Sequence, residues 1–175
     1  MRVTTCVIRS VLIGLAALPV IAAAQDTWSE ASAVLRRFSG SWETATRIHE
    51  EGSPSHDVLT RGEALGRPTL ENHYVEFRTH SIPVGRSDLQ IMTYDVDAAV
   101  YRQWLFDSEG YRHEAQGHWD PLGAILRWQG QTADSIFVIE DRWTSPDRLE
   151  WTLQRTDAGG RPRQRIEGTL IRRRE

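Results

Sequence analysis

The sequence contains no lysine: all 21 of its basic residues are arginine. Schiff-base chemistry and a lysine general base are therefore excluded. Cysteine is nearly absent as well. Cys6 is the only one, and it precedes an apolar run near the N-terminus. After that run there is no thiol nucleophile, no cysteine metal ligand and no possible disulfide, so burial and hydrogen bonding must carry the stability. A cysteine-free domain also suits an oxidising compartment. There is no excess of positive charge; the formal net charge is −3. Nucleic acid and anionic membrane surfaces are poor partners for such a chain. No nucleophile elbow, P-loop, dinucleotide fingerprint or zinc motif is present.

Long apolar stretches are missing too, with one exception. Val11 to Ile21 is apolar apart from Gly14 and Pro19. It is shorter than the roughly 20 residues a bilayer span needs. Met1 to Ser10 in front of it carries Arg2 and Arg9, and Ala22-Ala23-Ala24 behind it is followed by polar Gln25 and Asp26. Those are the three parts of a secretory signal. The expectation is a cleaved leader over residues 1–24, a single domain over 25–175, and a periplasmic or secreted product with no remaining membrane span. About 150 residues is one ordinary domain, and 39% hydrophobic with 9% aromatic content is globular.

Thr27-Trp28-Ser29-Glu30 fits a capping box at the start of a helix. Trp28, Ala31, Leu35 and Phe38 follow on one face, and Ser39-Gly40 ends the element. The period then changes to two. Trp42, Thr44, Thr46 and Ile48 alternate with Glu43, Ala45, Arg47 and His49, as in a half-buried strand. A turn is expected at Gly52-Ser53-Pro54-Ser55 and another at Gly66-Arg67-Pro68. About ten strands with short connections follow, and no second helix. That pattern predicts an all-β fold: an antiparallel up-and-down meander closed into a barrel, with one short N-terminal helix. An open, helix-covered sheet is the rival, and it needs more helix than this chain offers.

Gly40-Ser41-Trp42, placed after a short helix and at the start of the first strand, resembles the opening of lipocalin and calycin barrels. The resemblance implies that Trp42 plugs one end and that Arg172 or Arg173 from the last strand stacks on it. A second set of segments is more extensive. Met92-Thr93-Tyr94-Asp95, Tyr101 to Gly110, Glu114 to Asp120, Leu126 to Gly130, Asp147 to Thr152 and Ile166 to Thr169 resemble a bacterial family of unknown function, the DUF1579 type. That resemblance implies a fold and carries no chemistry with it. Haem-binding barrels of ten strands use a histidine late in the chain. Here the last is His118, and Glu43-Thr44 follow Trp42, so haem is disfavoured.

Six histidines are scattered with no metal-ligand spacing, so no metal and no cofactor is expected. Seven tryptophans are many for this length, and tryptophan suits both cores and pocket walls. Polar residues also alternate mid-strand: Arg112, Glu114, Gln116 and His118 on one strand, Val138, Glu140 and Arg142 on another. They line either a solvated outer face or a polar lumen. Taking the lumen option gives a ligand-binding set of Trp42, Trp104, Glu114, His118, Trp128 and Arg142, and no catalytic residue. The expected function is binding of a small apolar or amphipathic molecule in the barrel lumen. An enzyme using a lumen Glu/His/Arg acid–base set, or an interaction module with a filled lumen, are the alternatives.

Overall fold

The computed structural model describes residues 18–50, 58–82 and 85–174, with side chains in the first segment from Thr27 to His49. Residues 1–17 of the expected leader and the turn at Gly52-Ser53-Pro54-Ser55 lie outside the described residues. Helix α1 runs Leu18–Leu35 and continues into a short 3-10 turn, Arg36–Phe38. Ten strands follow: β1 Gly40–Glu50, β2 Val58–Thr69, β3 Tyr74–Ile82, β4 Ser87–Asp95, β5 Val100–Asp107, β6 Arg112–Asp120, β7 Ile125–Gln131, β8 Ser135–Ser145, β9 Arg148–Asp157 and β10 Pro162–Arg172. Every strand pairs antiparallel with its sequence neighbours, and β1 also pairs with β10. The sheet is thus a closed ten-stranded up-and-down barrel. Closure leaves no edge, which is how a long meander avoids exposed unpaired backbone.

Two boundaries differ from the sequence expectation. The helix does not begin at Thr27; it is continuous from Leu18. The preceding Leu18–Ala24 is rich in alanine, the best helix former, so Thr27 lies in mid-helix. Nor does the chain turn at Gly66-Arg67-Pro68, which remain in β2. β1 starts at Gly40 opposite Gly66, so Arg67–Thr69 are paired on the β3 side only. Proline is tolerated on such an edge. The turn comes later, at Leu70, Glu71 and Asn72, all with positive φ.

The helical segment closes one end of the barrel. Ala31, Val34, Leu35 and Phe38 are buried against the barrel core, while Trp28 lies half-buried with its ring 5.0 Å from that of His73. Phe38 meets Phe77 and Trp143 edge-on, and Arg37 lies over Trp119 at 5.0 Å. Trp42 is 1% exposed and donates its ring N–H to the Phe38 carbonyl at 2.9 Å. The Arg172 guanidinium covers its face at 4.1 Å. Arg172, not Arg173, is therefore the partner of the tryptophan. Arg173 points outward to Glu63 and Glu43. Gly40 has φ +103°, and a Cβ there would lie 2.6 Å from an Arg172 nitrogen. The glycine of the Gly40-Ser41-Trp42 triplet is thus demanded by backbone and by arginine together.

Candidate functional site

Strand pairing fixes which side chains point inward. From Trp42 the inward set on β1 is Trp42, Thr44, Thr46 and Ile48; facing residues continue it round the ring. On β5 it is Tyr101, Gln103 and Leu105; on β6, His113, Ala115, Gly117 and Trp119. On β7 it is Leu126, Trp128 and Gly130; on β8, Phe137, Ile139, Asp141 and Trp143; on β9, Leu149, Trp151, Leu153 and Arg155.

Of the six residues chosen from sequence, Trp42 and Trp128 point inward. Trp104, Glu114, His118 and Arg142 are on the outer face, and this corrects the lumen placement. Glu114 sits directly opposite Trp104 and pairs with Arg102 at 3.2 Å, with half its side chain exposed. His118 faces Arg127 on the next strand, and Arg142 is exposed. The cause is register: β6 turns Ala115 and Gly117 inward, which carries Glu114 and His118 out. No acid–base set of Glu114, His118 and Arg142 exists inside the barrel. The signal for the right facing was available in the small residues. A glycine mid-strand marks a close approach. A Cβ on Gly117 would meet the Trp128 ring at 2.6 Å, on Gly130 the Phe137 ring at 2.3 Å, and on Gly168 the Trp151 ring at 2.3 Å. Each glycine lets an aromatic ring on the adjacent strand lie against the wall.

The lumen is packed unevenly. Ala115, Trp128 and Phe137 are at most 1% exposed. Opposite them Thr44, Thr46, Trp151 and Ile166 are only half-buried, although they face inward from mid-strand. A solid core would cover them fully; the interior is less tightly filled on the side of β9, β10 and β1, where Trp151 and Ile166 pack against the core but stay partly exposed.

Several polar groups lie inside, among them the inward Asp107 and Asp88 on facing strands. Asp141 is buried and held by a 2.8 Å hydrogen bond from the Trp128 ring N–H. Burial pushes its carboxyl up to about 7, partly opposed by that bond. A further group lies at the end away from Trp42: Tyr111, His113 and Arg155. The Arg155 guanidinium lies 5.6 Å over the Tyr111 ring, and His113 lies 5.7 Å from Tyr111 and 4.4 Å from Phe137. The Tyr111 hydroxyl, both His113 ring nitrogens and the Arg155 Nε are buried without a hydrogen-bond partner among the described residues. Deeper, Gln103 donates to Gln90 at 2.7 Å while its own carbonyl oxygen is left unpartnered. Burial, with Arg155 nearby, holds His113 down to about 4; it is neutral at physiological pH. Sequence reading missed this group because Tyr111 and Arg155 sit near strand ends and share no local motif. No cluster of three or more His, Cys, Asp or Glu suited to a metal occurs among the described residues.

A further concavity of about 590 Å³ lies between β2 and β5, where Leu65, Leu89 and Phe106 are flanked by Arg78, His80 and Arg173. None of the six sequence-chosen residues lines it.

No protein-family model matches the chain, and no curated protein matches it. Solved structures do. Rv2717c from M. tuberculosis superposes with a TM-score of 0.61 at 15% identity, over 82% of this chain and 98% of that one. The S-type phycobiliprotein lyase CPES from Guillardia theta gives 0.56 at 10% identity, over 82% and 93%. At these identities the likeness is one of fold alone: a closed ten-stranded antiparallel barrel, a scaffold whose use depends on what its lumen presents.

Proposed function

We propose that this chain is an exported calycin-like binding protein of the DUF1579 type whose lumen takes a small, partly apolar molecule. The observation that carries this reading is the looser packing beside Trp151 and Ile166, joined to inward polar atoms with no hydrogen-bond partner among the described residues. Buried donors and acceptors are nearly always satisfied, and each one left unmade costs roughly 1–3 kcal/mol. Apolar walls with a few convergent polar groups are the usual make-up of a small-molecule site. That one fold neighbour is named a phycobiliprotein lyase supports a working role for a barrel of this shape. Export rests on the charged, apolar and small-residue order of residues 1–24.

N-phenyl-1-naphthylamine, a neutral apolar fluorophore, tests the reading. Saturable binding with one site per chain and energy transfer from tryptophan is the expected result. Native mass spectrometry of protein taken from its own host should show a bound small molecule. Absence of both saturable binding and any adduct overturns the proposal.

A further inference from the structure

At the end of the barrel away from Trp42, several buried donors have no hydrogen-bond acceptor among the described residues. Two arginines point into the barrel. Arg172, at the plugged end, is fully engaged by Trp42, backbone carbonyls and Asp147. Arg155, at the other end, has no close ion pair and no hydrogen bond among the described residues; it lies over the face of Tyr111 and acts on Asp134 and His113 only through charge. Among the described residues the acids near it make their hydrogen bonds and ion pairs elsewhere, although Asp134 still feels its charge. Asp107 takes Arg86 and the backbone N–H groups of Glu109 and Tyr111. Asp157 takes the N–H groups of Gly159 and Arg161 and pairs with Arg163 at 3.1 Å. Asp134 is bonded by Thr132, and Asp88 by Thr79. A guanidinium whose buried Nε has no hydrogen-bonded anion is costly. Beside it stand a phenol hydroxyl and a neutral imidazole, each able to donate one hydrogen bond.

We infer that the lumen ligand carries a single acidic head group, of carboxylate or sulfonate class, which accepts hydrogen bonds from Arg155, Tyr111 and His113. The inference rests on the lumen-binding reading above and adds the ligand's chemistry and orientation to it. The head sits at the mouth, and the apolar body runs inward along Leu153, Ile166 and Trp151. From His113 to Trp119 on β6 the wall is six residue steps, about 20 Å at roughly 3.3 Å per step, so a medium-length chain fits below the head. One arginine against one anion balances charge, and a charge-assisted contact is about twice as strong as a neutral one.

The experiment compares decanoate, decanol and decyltrimethylammonium as competitors of bound N-phenyl-1-naphthylamine on the purified protein. The expected order is decanoate tightest, by about ten- to a hundredfold over decanol, with the ammonium weakest. Arg155→Gln should bring decanoate to the affinity of decanol while decanol itself is unchanged. Tyr111→Phe removes only a hydroxyl, preserves the ring under Arg155, and should weaken decanoate several-fold without touching decanol. Equal affinity of acid and alcohol in the wild type overturns the acidic-head proposal and leaves the lumen reading standing. So does full decanoate affinity in both variants. Failure of the fluorophore and all three competitors to bind overturns both.

Discussion

Arg172 lies flat over Trp42, with its guanidinium carbon 4.1 Å from the ring centroid, while the same arginine donates to the carbonyls of Ser39 and Arg37. One side chain thus ties the last strand to the plug residue and to the end of the helical segment. Trp42→Ala should cost about 3–5 kcal/mol, the range for a large buried aromatic. Arg172→Gln should cost less. In the double variant the losses should fall short of their sum by about 1 kcal/mol, the stacking contribution. Urea denaturation of the four proteins gives the coupling; strict additivity would mean that the stack contributes nothing.

Asp141 and His113 should give opposite pH slopes. Asp141 has its folded value raised, from 3.8 to about 7, so the folded state holds a proton that the unfolded state has released. Its contribution is complete below about 4 and is lost as pH rises to about 7. His113 has its folded value lowered, from 6.5 to about 4, so its contribution is complete above about 6.5 and is lost as pH falls to about 4. Between those limits the two oppose each other. Relative to wild type, Asp141→Asn should gain stability steadily as pH rises from 4 to 7, and His113→Phe should gain as pH falls across the same window. The His113 effect is the smaller, because its ring is only partly covered. Urea midpoints at half-unit pH steps measure both, and a flat Asp141→Asn difference would mean that this carboxyl is ionised in the fold.

The glycine–aromatic contacts predict a strong asymmetry on one strand. Gly117→Val drives a side chain into the Trp128 ring and should cost about 1–3 kcal/mol or more, with a shift in tryptophan emission. Gln116→Ala, its exposed neighbour, should stay within about 0.5 kcal/mol. Equal effects at the two positions would be incompatible with this facing of β6.

Cleavage after Ala24 is expected to change the job of Thr27. In the uncut chain Thr27 is inside a continuous helix. Once Gln25 is the first residue, Thr27 and Glu30 are free to act as a capping box for the shortened helix. Intact mass of the exported form should lack residues 1–24. Thr27→Ala should then cost about 1 kcal/mol in the cleaved protein. An exported form that keeps Met1 to Ala24 overturns the leader assignment.

The architecture was legible because its signals are local. Alternation from Trp42 to Ile48 and short polar turns announce antiparallel strands, and the absence of a second helix leaves closure as the remedy for edges. The plug was legible from Gly40-Ser41-Trp42, down to the choice between two adjacent arginines, which strand parity then decided. The lumen set was not legible from charge, because Glu114 and Ala115 differ by one residue and by the whole thickness of the wall. Charges were weighed there when the small residues held the answer: Gly117 opposite Trp128, Gly168 opposite Trp151. The group at the mouth was less accessible still. Tyr111 and Arg155 are far apart in sequence, and they meet only because β6 to β9 lie side by side in the ring.

The seam of that ring joins the first strand to the last, from Trp42 opposite Arg172 to Glu50 opposite Gln164. A chain that emerges N-terminus first must therefore hold β1 as an open edge until the final strand arrives. The last eleven-residue strand completes the wall, delivers the arginine that locks the plug, and so converts a sticky ribbon into a sealed vessel in one event. Folding is consequently timed by the end of the chain, and a nascent or translocating intermediate is exposed to misassembly for nearly the whole of its passage.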